Sequence, residues 1–278
     1  MSVDSATKPG PAGLLAADEL DAGELKACCA AVYEQPAVRW LLAGELHPGG
    51  EESTRRALEM IRLAPGDRLL DVASGHGTSA MLAAREFGSD VIGIEYGERS
   101  VLAGETATEA EGLADRVSFR RGDAEALPAD DDSFDAVLCE CSLCTFPDKA
   151  RAVAEMARVL RPGGRVAISD VVVDPERLPT KLSGSMATIA CIGSALTQEG
   201  YEHLLAGAGL DVFAVESRRE DAANLAQRVE ERLRGARLLG LGPLTDSLGL
   251  ADAIELTRMA RRAISDGALG YSILAASR

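Results

Sequence analysis

The sequence predicts an α/β protein built on a mostly parallel, seven-stranded sheet, and three observations predict it. Apolar runs of strand character recur near 68–72, 90–95, 117–121, 134–140, 165–171, 211–217 and 270–276. Stretches of helical spacing lie near 77–87, 98–111, 149–160 and 198–207. Strands that alternate with helices of this length form a parallel sheet covered on both faces. The first two runs also end in carboxylates, Asp71 and Glu95, and the first leads into a glycine-spaced turn. A parallel sheet presents its ligand site at such strand ends.

The elements follow in order. Residues 1–20 carry Pro9, Gly10, Pro11 and Gly13 and are expected to be a flexible arm. Residues 21–64 form an N-terminal helical segment, expected to fold over the site as a lid. In it Leu25, Cys28, Cys29, Val32 and Tyr33 fall at helical spacing, followed by Val38, Trp40, Leu41 and Leu42. His47-Pro-Gly-Gly50 breaks the pattern, and a helix over Glu51–Leu63 stops before Pro65-Gly66. Residues 65–219 are the core. Within it Pro162-Gly-Gly164 marks a turn before the fifth strand, and 174–197 reads as a loop with a short helix. Residues 220–278 are read as appended helices and the last strand, with a break at Gly240-Leu-Gly-Pro243. The Arg-rich run from Arg228 to Arg237 reads as a solvated helix face.

Composition narrows the partners. A net charge of −15 argues against nucleic acid and anionic membrane, which need clustered Lys and Arg. No apolar run approaches the roughly 18 residues that span a bilayer, and the N-terminus has no apolar signal core. A cytoplasmic protein acting on a small molecule is expected. Its six cysteines are then thiols rather than disulfides.

The strand ends form a coherent set. Asp71 precedes Ala73-Ser-Gly-His-Gly77, where Gly75 and Gly77 permit a tight turn and close approach of a ligand. The helix that follows offers free N–H groups. Glu95 is placed to accept hydrogen bonds from a ribose, and Asp123, in Gly122-Asp-Ala-Glu-Ala-Leu-Pro128, from an adenine amino group. Cys139 and Glu140 end the fourth strand. His76 reads as filling a permissive turn position, and His47 and Tyr33 as packing or substrate contacts.

Leu70-Asp-Val-Ala-Ser-Gly-His-Gly77, Gly93-Ile-Glu95, Gly122-Asp-Ala-Glu-Ala-Leu-Pro128, Phe134-Asp-Ala-Val137 and Val159-Leu-Arg-Pro-Gly-Gly164 resemble the class I methyltransferases that depend on S-adenosyl-L-methionine (SAM). That resemblance covers roughly residues 60–172. It implies a Rossmann-like sheet whose last strand is antiparallel. It also implies a SAM site over Asp71, Ala73, Ser74, Gly75, Gly77, Glu95, Tyr96, Asp123, Ala124, Glu125, Cys139 and Glu140. Ala73 departs from the family, which usually has glycine there.

Two cysteine surroundings resemble the arsenite methyltransferases more closely. Cys141 stands six residues before Pro147-Asp-Lys149, and Cys191 opens Cys-Ile-Gly-Ser-Ala-Leu196. The resemblance implies Cys141 and Cys191 as ligands of trivalent arsenic, with Cys28 or Cys29 as the upstream partner. Thiolates select such soft centres, and the arsenic lone pair would itself be the nucleophile. No resident metal is expected. Other readings remain open. Cysteine is among the most buried residue types, so each of the six also has a packing reading, above all Cys139 and Cys144. A zinc site at Cys139-x-Cys-x-x-Cys144 lacks a second paired half. The acceptor is then a quinone-, polyketide- or sterol-like organic molecule, or the chain binds metalloids without turnover.

Overall fold

The computed structural model describes residues 21–183, 191–239 and 250–278. The expected flexible arm, the break at Gly240–Pro243 and part of the 174–197 segment lie outside the described residues. One sheet organises the molecule: β1 (Arg68–Val72), β2 (Asp90–Glu95), β3 (Val117–Arg121), β4 (Phe134–Glu140), β5 (Leu160–Val173), β6 (Asp211–Ser217) and β7 (Leu269–Ser277). The order is β3-β2-β1-β4-β5-β7-β6. The first five strands pair in parallel, and β7 runs antiparallel between β5 and β6. Strand order reverses at β1, so the tips of β1, β2 and β4 border the crevice where parallel α/β sheets bind ligands.

Helices cover both faces: α1 (Ala22–Tyr33), α2 (Pro36–Leu41), α3 (Gly50–Met60), α4 (Thr78–Leu82), α5 (Glu98–Ala110), α6 (Lys149–Val159), α7 (Gln198–Gly207), α8 (Arg219–Leu238) and α9 (Leu250–Ser265). Leu70, Val137, Cys139, Val153 and Tyr201 fill one side of the sheet, and Leu58, Leu69, Leu82, Phe119 and Leu138 the other. A third cluster, around Val171, Cys191, Ile264 and Tyr271, lies where β5 and β7 meet α9. Among the described residues no helix is long and apolar enough to cross a membrane.

Three local expectations are corrected. The helix expected over 77–87 is α-helical only to Leu82 and continues as a π-helical turn, Ala83–Phe87, closed by Gly88 at φ +70°. The expected turn at 162–164 is absorbed into β5 as an irregularity. Register shifts between Phe134 and Ala136, Gly163 takes φ +79°, and the Gly163 amide and Gly164 carbonyl pair with Arg278. The arginine run of α8 is not simply solvated. Arg228 pairs with Glu45 and Arg232 stacks on Trp40, both in the N-terminal segment. Arg234 joins Arg258 and Arg261 of α9 around the buried Glu230.

The last position of the first turn, Gly77, has no room for a side chain. It caps α4 at φ +80°, and a Cβ there would stand 2.2 Å from Phe119 Cζ. Gly77→Ala is expected to cost about 2 kcal/mol from strain and clash and to lower the thermal midpoint by roughly 5 °C, read by differential scanning calorimetry.

Asp170, in β5, is fully buried and accepts hydrogen bonds from the amides of Cys144 (2.8 Å) and Val171 (2.7 Å). Burial, then the Cys191 charge, raise its carboxyl from 3.8 to about 7 against these bonds. The folded state therefore holds a proton that the unfolded chain releases at lower pH. The contribution is complete below about pH 4 and is lost as pH rises to about 7, roughly 4 kcal/mol in all. Asp170→Asn is expected to flatten that part of the stability–pH curve, measured by urea denaturation between pH 4 and 8.

Candidate functional site

The tips of β1, β2 and β4, with the N-terminal segment above them, enclose a cavity of about 620 Å³. Most of the expected cofactor residues line it: Asp71, Ala73, Ser74, Gly75, Glu95, Tyr96, Asp123, Ala124 and Glu140. Three do not. Gly77 packs against Phe119. Glu125 lies outside the wall, where it pairs with Lys26 at 2.6 Å. Cys139 is fully buried in the core with Leu70 and Val137. Its placement follows from the strand period: successive side chains alternate faces, so Glu140 turns to the cavity and Cys139 to the packed side.

The carboxylates of the wall differ in how they are satisfied. Glu95 accepts the Gly75 amide on Oε2 and the Gly97 amide on Oε1, each at 2.9 Å. Burial raises its pKa, and these amides oppose the rise. Glu140 accepts hydroxyl hydrogen bonds from Ser79 (2.6 Å), Thr54 (3.0 Å) and Ser169 (3.3 Å), and His47 Nε2 stands 3.6 Å away. Asp71 is less well served. Its Oδ2 is buried without a hydrogen-bond partner, as is Ser74 Oγ beside it in the turn. Burial first, and then the charges of Glu140 and Glu95, push its pKa well up.

The turn is strained where the family resemblance predicts glycine. Ala73 holds φ +59°, a left-handed conformation costing an L-residue about 1 kcal/mol. His76 lines the cavity, and burial lowers its pKa, with Arg39 adding to the effect.

SAM fits these residues. An acidic wall with an orphaned buried carboxylate oxygen suits a cationic ligand. Glu95 and Asp123 suit a nucleoside, and the Ala73–Gly77 turn lets the backbone come close. Sequence reasoning passed over Lys26, Thr54 and Ser79. Lys26 Nζ lies 3.0 and 2.8 Å from the two oxygens of Asp123. The available signal was its position in α1, one turn before Cys29.

The cysteines divide as follows. Cys29 and Cys141 line the cavity; Cys28 and Cys191, both expected at the site, do not. Cys191 is buried against Cys141: its thiol donates to the Cys141 carbonyl at 3.3 Å and lies 3.2 Å from the Tyr33 hydroxyl. As a thiolate it accepts hydrogen bonds from Cys141, Cys144 and Tyr33, which pull its pKa well down. Burial and the charges of Cys28 and Cys191 push Cys29 up to about 11. Cys141 and Cys191 both hold left-handed backbone, φ +49° and +62°. Cys144 is fully buried. Among the described residues no group of three or more His, Cys, Asp or Glu side chains is set to hold a metal ion. Tyr33 and His47, read from sequence as packing or contacts, both line the cavity.

Comparison with known proteins agrees with this geometry. Methyltransferase GfsG of Streptomyces halstedii is 37% identical over 170 residues, covering 60% of this chain and 61% of that protein. The 27-O-demethylrifamycin SV methyltransferase of Amycolatopsis mediterranei is 33% identical over 238 residues, 82% of this chain and 85% of that one. An arsenite methyltransferase of Halobacterium salinarum is 33% identical over 185 residues, 64% of this chain but only 46% of its relative. The fold also matches phosphoethanolamine N-methyltransferase 2 of Haemonchus contortus, at a TM-score of 0.72 and 22% identity over 87% of this chain and 56% of that one. A family model described as a methyltransferase domain matches residues 63–209, more than half of the chain, and the chain belongs to that methyltransferase family.

Proposed function

We propose that the protein transfers a methyl group from SAM to a small thiophilic acceptor, trivalent arsenic first, held by Cys141 and Cys191 with Cys29. The observation that carries this reading is the meeting of Cys141 and Cys191. They stand 50 residues apart in sequence, are joined sulfur to carbonyl at 3.3 Å and are both held in left-handed backbone. Backbone strain of this kind persists where the surroundings over-determine it, and it collects at functional sites.

Asp71, the 73–77 turn, Glu95 and the Asp123–Ala124 segment would hold the donor. When bound, SAM supplies an electrophilic methyl on a sulfonium. The residues of the chain then have three tasks. Glu140, held by three hydroxyls, offers a fixed carboxyl group in the cavity wall. The lowered pKa of Cys191 favours the thiolate that a soft metalloid binds. The packed wall of Cys141, Tyr33 and Cys29 restricts the acceptor's approach, and orientation of this kind can lower a barrier by several kcal/mol. An acceptor that attacks through a lone pair asks no side chain to remove a proton. Each thiol that ligates arsenic passes its proton to the hydroxide or thiolate it displaces. In this reading the N-terminal segment, residues 21–64, is the lid.

One observation favours a second reading. His47 beside Glu140 is a base-and-carboxylate pair facing the cavity, suited to take the proton of an organic hydroxyl. The rifamycin relative covers most of the chain and is named for an organic acceptor.

The two readings part on one experiment, release of S-adenosylhomocysteine from SAM with arsenite plus glutathione or with a panel of hydroxylated aromatic acceptors. Cys141→Ser and Cys191→Ser are each expected to lower arsenite turnover at least 100-fold with SAM affinity kept within threefold. His47→Gln is expected to change it less than fivefold. Turnover only with organic acceptors, lost in His47→Gln and kept in the serine variants, would select the second reading.

Asp71→Asn tests the donor site. It is expected to weaken SAM binding at least tenfold by calorimetry. Because burial raises the folded pKa of Asp71, the ionised form costs stability above its ordinary titration range. The ligand-free variant is therefore expected to unfold no lower than the parent at pH 8.

A further inference from the structure

Helix α1 presents a single stripe to the cavity: Lys26, Cys29, Ala30 and Tyr33, at the i, i+3, i+4 and i+7 positions that share a helix face. At 1.5 Å per residue this stripe spans about 10 Å, and its two ends serve different parts of the site. At the first end Lys26 Nζ bonds both oxygens of Asp123, at 3.0 and 2.8 Å, and Glu125 Oε2 at 2.6 Å. Asp123 is the wall residue assigned to the nucleoside. At the far end Tyr33 reaches Cys191 at 3.2 Å, and the next residue, Glu34, accepts the Ser100 amide at 3.3 Å.

The Asp21 capping box closes the N-terminus of α1, and Tyr33 packs against the third core cluster. The buried residues of the helix are Cys29 and Val32, and a helix of 12 residues is marginal in isolation. The two partners of Lys26 differ in exposure: the Asp123 side chain is 35% exposed and the Glu125 side chain 12%. A ligand that touches the stripe shifts the position of α1 by its differential affinity for the closed form.

We propose that Lys26 is a positioning residue that couples the two ends of the site. Through Asp123 and Glu125 it fastens α1 over the nucleoside end, and α1 in turn sets Cys29 and Tyr33 against Cys141 and Cys191. A bound donor holds α1 closed, so the acceptor end is assembled after the donor has bound. The inference rests on the donor reading of the cavity, and the identity of the acceptor does not enter it.

Cys29 reports closure, because it is buried under α1 while its neighbour Cys28 is more exposed. The experiment measures iodoacetamide alkylation of Cys29 relative to Cys28 by peptide mass spectrometry, with and without SAM. SAM is set at saturation from each variant's own calorimetric titration. In the parent protein SAM is expected to slow Cys29 modification at least tenfold. In Lys26→Met the protection should fall to twofold or less with the circular dichroism spectrum unchanged. Glu125→Gln should give an intermediate value, and Lys26→Arg should restore protection to within threefold of the parent. With an acceptor that turns over, Lys26→Met should raise acceptor KM at least fivefold and change kcat less than threefold. Full protection in both Lys26→Met and Glu125→Gln, or no protection in a parent that binds SAM, would overturn the coupling. A parent that takes up no SAM in the calorimeter would overturn the donor reading, and the coupling with it.

Discussion

Four carboxylates buried at the carboxyl ends of neighbouring strands are the constraint on which this structure depends. Asp71 on β1, Glu95 on β2, Glu140 on β4 and Asp170 on β5 are each less than a tenth exposed. An ionised carboxylate in such a place costs several kcal/mol unless hydrogen bonds or a cation compensate. The fold settles three of the four internally: Glu95 with two amides, Glu140 with three hydroxyls, and Asp170 with two amides and a raised pKa. Asp71 keeps one oxygen without a partner. The remaining electrostatic debt is thus at the topological switch point, facing the cavity, where a cationic ligand would settle it. Much of the architecture above the sheet serves this arrangement. Thr54 reaches Glu140 from α3, Ser79 reaches it from α4, and the Gly75 and Gly97 amides reach Glu95 from the turns after β1 and β2.

A second arrangement, of strain and sulfur, lies beside the first. Ala73, Cys141 and Cys191 all hold positive φ. Ala73 bends the cofactor turn, where its small side chain keeps the cost low. For Cys141 the bend follows β4 directly and leaves its side chain on the cavity wall. Cys191 meets it from the segment after β5. Tyr33 and the Cys141 carbonyl fix the Cys191 thiol from two sides. Hydrogen bonds donated to its thiolate by the Cys141 and Cys144 thiols and the Tyr33 hydroxyl make it more acidic than Cys29, Cys141 and Cys144, which are all pushed the other way by burial, mutual charge and hydrogen bonding. Such asymmetry separates one sulfur that favours the thiolate from neighbours that favour the thiol.

The parts of the molecule legible in the sequence are those governed by short-range rules. Strand ranges follow apolar runs bounded by glycine, proline and charge, and all seven appear at the expected places. Gly75, Glu95 and Asp123 were legible because each sits at a fixed offset from a strand end. The face taken by Cys139 was legible in principle, since alternation along Phe134–Glu140 separates it from Glu140. What escaped depends on distant partners. Lys26 gains its meaning from Asp123, 97 residues away. Arg228 gains its own from Glu45, 183 residues away. Glu230 draws arginines from two helices. No periodicity carries such information. The π-helical turn at Ala83–Phe87 and the bulge at Gly163 were also missed, because each is a small adjustment of register made to fit neighbouring elements.

The division between the two ends of the cavity bears on how a common fold serves different acceptors. The end proposed for the donor is built from backbone turns and carboxylates at strand tips, positions that the sheet itself fixes. The end proposed for the acceptor is built from α1, the turn after β4 and the segment after β5, the last two tied to β5 at single points, Cys141 to Ser169 and Leu196 to Val173. His47 and Cys141 both face the cavity near Glu140, so proton-removing chemistry and sulfur ligation are available within one frame. Under the proposed coupling, the placement of Cys29 and Tyr33 by α1 would decide between them. The link from α1 to Asp123 is then more than a fastening. In the proposed coupling it would make the geometry of the variable end depend on occupancy of the fixed end, so that the acceptor site is completed once the donor is in place.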